Sequence, residues 1–278
     1  MNDSAININT ALVSKDQPIV LSSVFKSGTW LLRFIIENIT GLKYIEPPIK
    51  TGSMDPCDPT LIHIKADHFY SWHFTLSAAI QEKLIRYQAK PIFLVRNVYD
   101  LAVSMYYHFA NNIDHEIGRG ANKHDYFLRI GKDNGIRKII TGCDDNEFKW
   151  KGIGPHLMQI ESMFHFTTIY PCHLISYENI VNSKADSIRM LADFLDIPLS
   201  VEEVIRLVTN SEFDAMKSAA RKQNKASHFR NGKTQSHTYE LKQQHYDAMQ
   251  ECLDEYAPRL YSLSRKAGFS HILSHSLA

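Results

Sequence analysis

From Ile19 the chain runs IVLSSVF, turns through Lys26-Ser27-Gly28-Thr29 and continues as WLLRFIIENI. The first run is apolar and partly β-branched, which reads as a buried strand over Ile19–Phe25. After the turn, apolar residues recur at helical spacing, which reads as a helix over Thr29–Ile39. A strand passed so directly into a helix is a βα unit, and such units build parallel sheets. The turn is also suited to an anion. The first N–H groups of a helix lack intrahelical partners, the helix dipole adds positive potential, and Gly28 lets backbone approach closely. Lys26 adds a full charge, and Ser27 and Thr29 add hydroxyls. Phosphate or a sulfuryl group would suit it. It is not GxxxxGK[ST], because Lys26 precedes the only glycine. An ordinary βα turn with a capping serine leaves the same pattern.

The alternation continues. Strands are expected at Leu61–Lys65, Pro91–Val95 and His173–Ser176, and helices at Leu76–Tyr87, Tyr99–Phe109 and Ala185–Leu195. From Leu199 the chain is mostly helical with one long basic loop. The fold class is therefore α/β: a central parallel β-sheet flanked by helices, with ligands beyond the carboxyl ends of the strands. The 278 residues are taken as one domain, 1–278. Residues 111–150 are polar and weakly periodic, and read as an insertion: a binding loop or a surface excursion.

Composition narrows the function. A net charge of +1 supplies no global field for nucleic acid or membrane. No apolar run approaches the ~20 residues of a membrane span. The opening MNDSAININT lacks the basic and apolar regions of a secretory signal. Four scattered cysteines without a CxxC pair suit reduced thiols, and a cytoplasmic location is expected.

A second polar cluster follows the strand PIFLV. Arg96 ends it, Asn97 can cap the next helix, Asp100 lies in that helix's first turn, and Ser104 sits about two turns along. Arg96 is placed for a fork-like grip on phosphate, or for an ion pair with Asp100. The two clusters together, Lys-Ser-Gly-Thr and then RNVYDLAVSMY, resemble the sulfotransferases that use 3′-phosphoadenosine 5′-phosphosulfate (PAPS). That family reads roughly PKSGTTW and RNPxDxxVSxYH, and the resemblance runs from about Ile19 to Gly268. It implies a P-loop-like sulfotransferase fold. It also implies that Lys26, Ser27, Gly28 and Thr29 hold the 5′-phosphosulfate, and Arg96 and Ser104 the 3′-phosphate.

Further segments match in order. SYEN at 176–179 resembles the family's YEDL, so Tyr177 is expected by the adenine. SEFDAMK at 211–217 resembles SFxxMK, which makes Phe213 an adenine neighbour. FRNG at 229–232 resembles the start of RKGxxGxW, which makes Arg230, Asn231 and Gly232 contacts of the 3′-phosphate. Between Asp214 and Glu240 there are six basic residues and no acidic one, so residues 217–240 read as a basic lid over the nucleotide. Three departures stand out. One residue is missing between Gly28 and Trp30, so either Trp30 or Leu31 holds the position that meets the adenine. Gln235 and His237 stand where the family has Gly and Trp. No KxxxTVxxxE dimer segment occurs, so the resemblance carries over no mode of pairing for a homo-oligomer.

By the same resemblance, the segment HIKADH carries Lys65 and the acceptor's base: His68 first, Asp67 second, since the spacing holds one residue more than KTH. An imidazole suits that task. The spacing of His63, His68 and His73 fits no metal site. The expected reaction is transfer of the sulfuryl group from PAPS to a hydroxyl or amine of a small-molecule acceptor, a natural product being one such class. The displacement would be in line, with Lys26, and Lys65 with it, balancing charge on the leaving oxygen. 3′,5′-Adenosine bisphosphate (PAP) is the product, and no metal, nucleic acid or membrane partner is expected. The aromatic stretch Phe69–Phe74 and residues 111–150 are the expected walls of the acceptor pocket. The alternatives are an ATP-dependent P-loop kinase and a nucleotide-binding protein without transferase activity.

Overall fold

The computed structural model describes residues 17–45, 65, 68–111, 123–221 and 232–275. Five parallel strands form the central sheet: β1 (Ile19–Ser23), β2 (Tyr44–Ile45), β3 (Phe69–Trp72), β4 (Lys90–Val95) and β7 (His173–Ser176), in the order β2-β3-β1-β4-β7. A small antiparallel hairpin pairs β5 (Cys143–Asp144) with β6 (Lys149–Trp150). The helices of the first half are α1 (Thr29–Thr40), α2 (Ala78–Arg86), α3 (Val98–Ala110), α4 (Lys123–Ile130), α5 (Lys132–Thr141) and α6 (Gly154–Phe166). Those of the second half are α7 (Tyr177–Asn182), α8 (Lys184–Phe194), α9 (Val201–Asn210), α10 (Phe213–Arg221), α11 (His237–Glu240), α12 (Gln243–Tyr256) and α13 (Leu260–Lys266). A 3₁₀ turn follows at Ser270–Leu273.

Both faces of the sheet are covered, so its strands alternate between two cores. Ile19, Leu21, Phe69, Ile92 and Leu94 pack with α1, α8 and α9 on one face. Val20, Tyr70, Trp72, Phe93 and Val95 pack with α3, α5, α6 and α12 on the other. A sheet buried on both faces needs apolar residues at nearly every position, which is why VLSSV and PIFLV read as continuous runs.

The strand next to β1 lies beyond the expected Leu61–Lys65. Residues 61–64 lie outside the described residues, and Lys65 is exposed and not in a strand. The neighbour of β1 is Phe69–Trp72, with Ile19 opposite Phe69 and Ser22 opposite Trp72. Phe69, Tyr70, Ser71 and Trp72 are all buried, so they are sheet core and not a pocket wall. The described part of the 111–150 stretch also differs. Residues 123–150 form α4, α5 and the hairpin, and bury Tyr126, Phe127, Ile136, Ile139, Ile140 and Phe148 in the larger core.

β1 lies between β3 and β4: from β1 the chain crosses to β2 on one side, returns through β3, and then crosses to β4 on the other. Where strand order reverses, the loops at the carboxyl ends part and leave a crevice. The Lys26 turn opens into that crevice.

Candidate active site

β1 ends at Ser23, and the chain reaches α1 through two residues in the left-handed region, Lys26 (φ 67°) and Gly28 (φ 100°). The turn is braced from below. Ser27 donates from its N–H and its Oγ to the Val24 carbonyl (3.0 and 2.6 Å). Ser23 Oγ and Thr29 Oγ1 are 2.8 Å apart. Gly28 caps α1 without a side-chain hydrogen bond, and no acidic residue stands in the first turn, so nothing there neutralises the dipole. Gly28 is required for a second reason: a Cβ there would stand 2.5 Å from the Tyr177 ring. Trp30 is the second residue of α1 and is half-buried.

Arg96, at the end of β4, ties the site together. It is 6% exposed. Nη1 donates to the Lys26 carbonyl (3.1 Å) and Nη2 to the Lys233 carbonyl (3.3 Å). Its guanidinium lies 4.5 Å over the Tyr177 ring, and its buried Nε has no hydrogen-bond partner among the described residues. A buried guanidinium with donor capacity left over, beside a lysine-bearing turn, suits a phosphate group. Gly232, at φ 66°, presses on Phe213, where a Cβ would come within 2.4 Å of the ring. The structure therefore brings Lys26, Gly28, Arg96 and Tyr177 into one neighbourhood. Lys233 joins it to Gly232 and Phe213. Ser104 is half-buried on α3, one turn beyond Asp100 and on the same helix face. Arg230, Asn231, Asp67 and His63 lie outside the described residues.

Asp100 does not hydrogen-bond Arg96. Its oxygens accept from Gln235 N (2.6 Å), His237 N (2.9 Å) and His237 Nδ1 (3.0 Å). Burial alone would raise its carboxyl pKa, but the His237 hydrogen bonds and the nearby Arg96 charge outweigh this and hold it below the ordinary value. Glu178 accepts from Asn97 N (3.1 Å), and burial pushes its carboxyl up although Arg96 pulls it back.

His68 and Lys65 are not brought to this place. His68 precedes β3, and its carbonyl takes the hydrogen bond of Ile19 N at the first residue of β1. That is the amino end of the sheet. The length of β1, ~13 Å at ~3.3 Å per residue, separates it from Ser23. The Lys65 N–H donates to the Tyr70 hydroxyl (3.1 Å). A histidine does stand at the carboxyl end beside the Lys26 turn: His73, the first residue after β3 and solvent-exposed. Its Nδ1 lies 2.6 Å from the Ser23 carbonyl. A carbonyl only accepts, so Nδ1 carries the proton and the neutral ring keeps its lone pair on Nε2. Gln159 of α6 donates to the same carbonyl (3.1 Å). The signal for His73 was present in the sequence: it is the first polar side chain to close the run FYSW.

Beside His73 an aromatic wall gathers around Phe25. Its ring lies edge-on to His73 (6.1 Å) and His108 (5.0 Å) and stacks with His156 (6.3 Å), which in turn stacks on Trp150 (5.7 Å). Burial, helped by repulsion from His73 whenever that ring is protonated, pulls His156 down to about 4, so it is neutral at ordinary pH. Among the described residues no cluster of metal-ligating side chains occurs, and no helix is long and apolar enough to cross a membrane.

A family model for the sulfotransferase domain matches residues 16–262. Among solved structures the chain is similar to mouse sulfotransferase SULT7A1 complexed with PAP, at 17% identity, 95% of this chain and 94% of that one covered, and a TM-score of 0.63. It is also similar to retinol dehydratase in complex with androsterone and inactive cofactor PAP, at 16% identity, 89% and 82% coverage, and a TM-score of 0.60. A retinol dehydratase complex with retinol and PAP gives 14% identity, 90% and 84% coverage, and 0.57. At such identities these three likenesses speak for the fold. Comparison with curated protein sequences finds no match.

Proposed function

The chain belongs to the sulfotransferase family, whose donor is PAPS, and from that premise we propose that it sulfates a hydroxyl or amine of a small molecule, with His73 as the base. The observation that carries the reading is the position of Arg96, which reaches both the Lys26 turn and Lys233 from the carboxyl end of β4. PAPS supplies an activated sulfuryl group. In this proposal Lys26, Ser27, Gly28 and Thr29 hold its 5′ end, Arg96 and Ser104 its 3′-phosphate, and Tyr177, Trp30 and Phe213 its base. Arg230, Asn231 and Gly232 belong to the segment proposed to close over it, in a single catalytic domain.

His73 replaces His68 in the reading because the acceptor's proton must be taken at the sheet end that carries Lys26. Its Nδ1–H is committed to Ser23, which orients the ring and presents Nε2 as the basic atom. Lys26 balances charge on the leaving oxygen by preorganised electrostatics. Lys65, at the other end of β3, has no part in this scheme. The acceptor lies against the Phe25 wall, whose edge-on and stacked rings suit a flat or apolar body. Androsterone and retinol are the molecules held by the retinol dehydratase structures. A cytoplasmic setting fits the free thiols of Cys143, Cys172 and Cys252.

The test is a thermal-shift series with PAP, ATP with magnesium, and AMP, followed by turnover of labelled PAPS over a panel of phenols, alcohols and amines. Stabilisation by PAP alone with sulfated product supports the proposal. Stabilisation by ATP with magnesium, with phosphorylated product, would make it a kinase, and PAP binding without turnover a nucleotide-binding protein.

A further inference from the structure

Asp100 is completely buried four residues beyond Arg96, and everything it holds comes from one turn more than 130 residues later. Its two oxygens accept three hydrogen bonds, from the N–H groups of Gln235 and His237 and from His237 Nδ1. A buried carboxylate is costly without partners, and here the partners fix a turn. Gln235 adopts φ 60°, a conformation that non-glycine side chains rarely take, so the turn needs outside support. Upstream, the Lys233 carbonyl receives Arg96 Nη2 and Gly232 seats against Phe213. Downstream, the Tyr246 hydroxyl donates to the His237 carbonyl (3.2 Å), and Glu240 pairs with Lys132 and accepts from Tyr107 (3.0 Å). Residues 232–240 are thus pinned along one face of α3, with Arg96 at one end.

The pinning uses two of the positions at which this chain departs from its family's pattern, Gln235 and His237. We propose that Asp100 and His237 are positioning residues for the nucleotide: together they hold the 232–237 turn against Arg96, so that the guanidinium stands preset for a phosphate. This rests on the sulfotransferase reading above. Neither residue takes part in the chemistry, so their effect falls on donor and product affinity and not on the chemical step.

Two substitutions separate the hydrogen bond from the ring. His237→Phe keeps the ring beside Tyr99 and drops the donor. It also removes His237 Nε2, which is buried without a partner among the described residues, so the fold tolerates the change. His237→Asn drops the ring but keeps an amide N–H where Nδ1 stood. PAP dissociation constants by calorimetry, with KM for PAPS, kcat and ligand-free melting temperature, are the readouts. In His237→Phe we expect PAP affinity to fall and KM for PAPS to rise, each on the order of 10-fold, as for one lost charge-assisted hydrogen bond. We expect kcat within about 2-fold, and affinity in His237→Asn restored to within about 3-fold. Parental PAP affinity in His237→Phe overturns the inference, as does a fall in kcat at constant KM, or loss in the Asn variant with retention in the Phe one. Failure of the unsubstituted protein to bind PAP would instead overturn the functional reading, and this inference with it.

Discussion

The carbonyl of Ser23 serves two side chains at once, His73 and Gln159. That shared contact makes His73 a stronger candidate base than its exposure alone would, because the tautomer is set by the fold. His73→Asn should nearly abolish sulfation while leaving PAP affinity within about 3-fold, whereas His68→Asn should keep near-parental turnover. Steady-state rates and calorimetry on both variants check this, and the reverse ranking would return the role to His68. Arg96→Ala should weaken PAP binding by roughly 10- to 150-fold, the range of a lost charged hydrogen bond worth about 1.5–3 kcal/mol. Binding of AMP, which lacks the 3′-phosphate, should change far less. Equal losses for both ligands would assign Arg96 to bracing the Lys26 turn and not to the 3′-phosphate.

Among the elements, β1, β4 and β7 were legible in the sequence because each is a short apolar run closed by a polar turn. β3 was not. Leu61-Ile62-His63-Ile64-Lys65 alternates, which is the mark of a strand with one wet face. Phe69-Tyr70-Ser71-Trp72 is buried on both faces and shows no alternation. Placing the strand at Leu61–Lys65 put His68 just after it, whereas the structure sets His68 at the amino end of the sheet. The two-residue β2 is too short to leave a pattern. α4 and α5 were hidden by their charged outer faces, although Tyr126, Phe127, Ile136, Ile139 and Ile140 stand at helical spacings. Because that pair is core, Phe127→Ala should lower stability by about 3–5 kcal/mol, which denaturant unfolding would measure. A cost below about 1 kcal/mol would mean that α4 is a detachable surface element.

Across the whole molecule, stability should depend on pH through buried histidines. Burial pulls both His156 and His173 down to about 4. Between there and the ~6.5 of a free imidazole, the unfolded chain takes up protons that the folded chain refuses. Their contribution is therefore full above about pH 6.5 and is lost as pH falls toward 4, on the order of 3 kcal/mol each. Asp100, with its lowered pKa, adds a loss of the same sign at still lower pH. Glu178, with its raised one, works the other way just above its usual range. The melting temperature should drop steadily from pH 7 to 4.5. His173→Phe, which also removes a buried Nε2 with no hydrogen-bond partner among the described residues, should flatten part of that slope. An unchanged slope in that variant would locate the effect elsewhere.

The site has no local part that could stand alone. Its pieces come from the ends of β1, β3, β4 and β7 and from the turn before α11, so they meet only when the sheet is complete. A half-folded chain therefore offers the nucleotide nothing, and ligand binds only the finished molecule. By mass action such a ligand should act as a folding corrector for damage anywhere in the protein. PAP at 100 times its dissociation constant should return about 2.7 kcal/mol to the folded state, and at 1,000 times about 4.1. The Phe127→Ala protein, weakened in the larger core and at no residue assigned to the nucleotide, should thus recover most of its lost native population as PAP is added. Its unfolding midpoint should climb with the logarithm of ligand concentration.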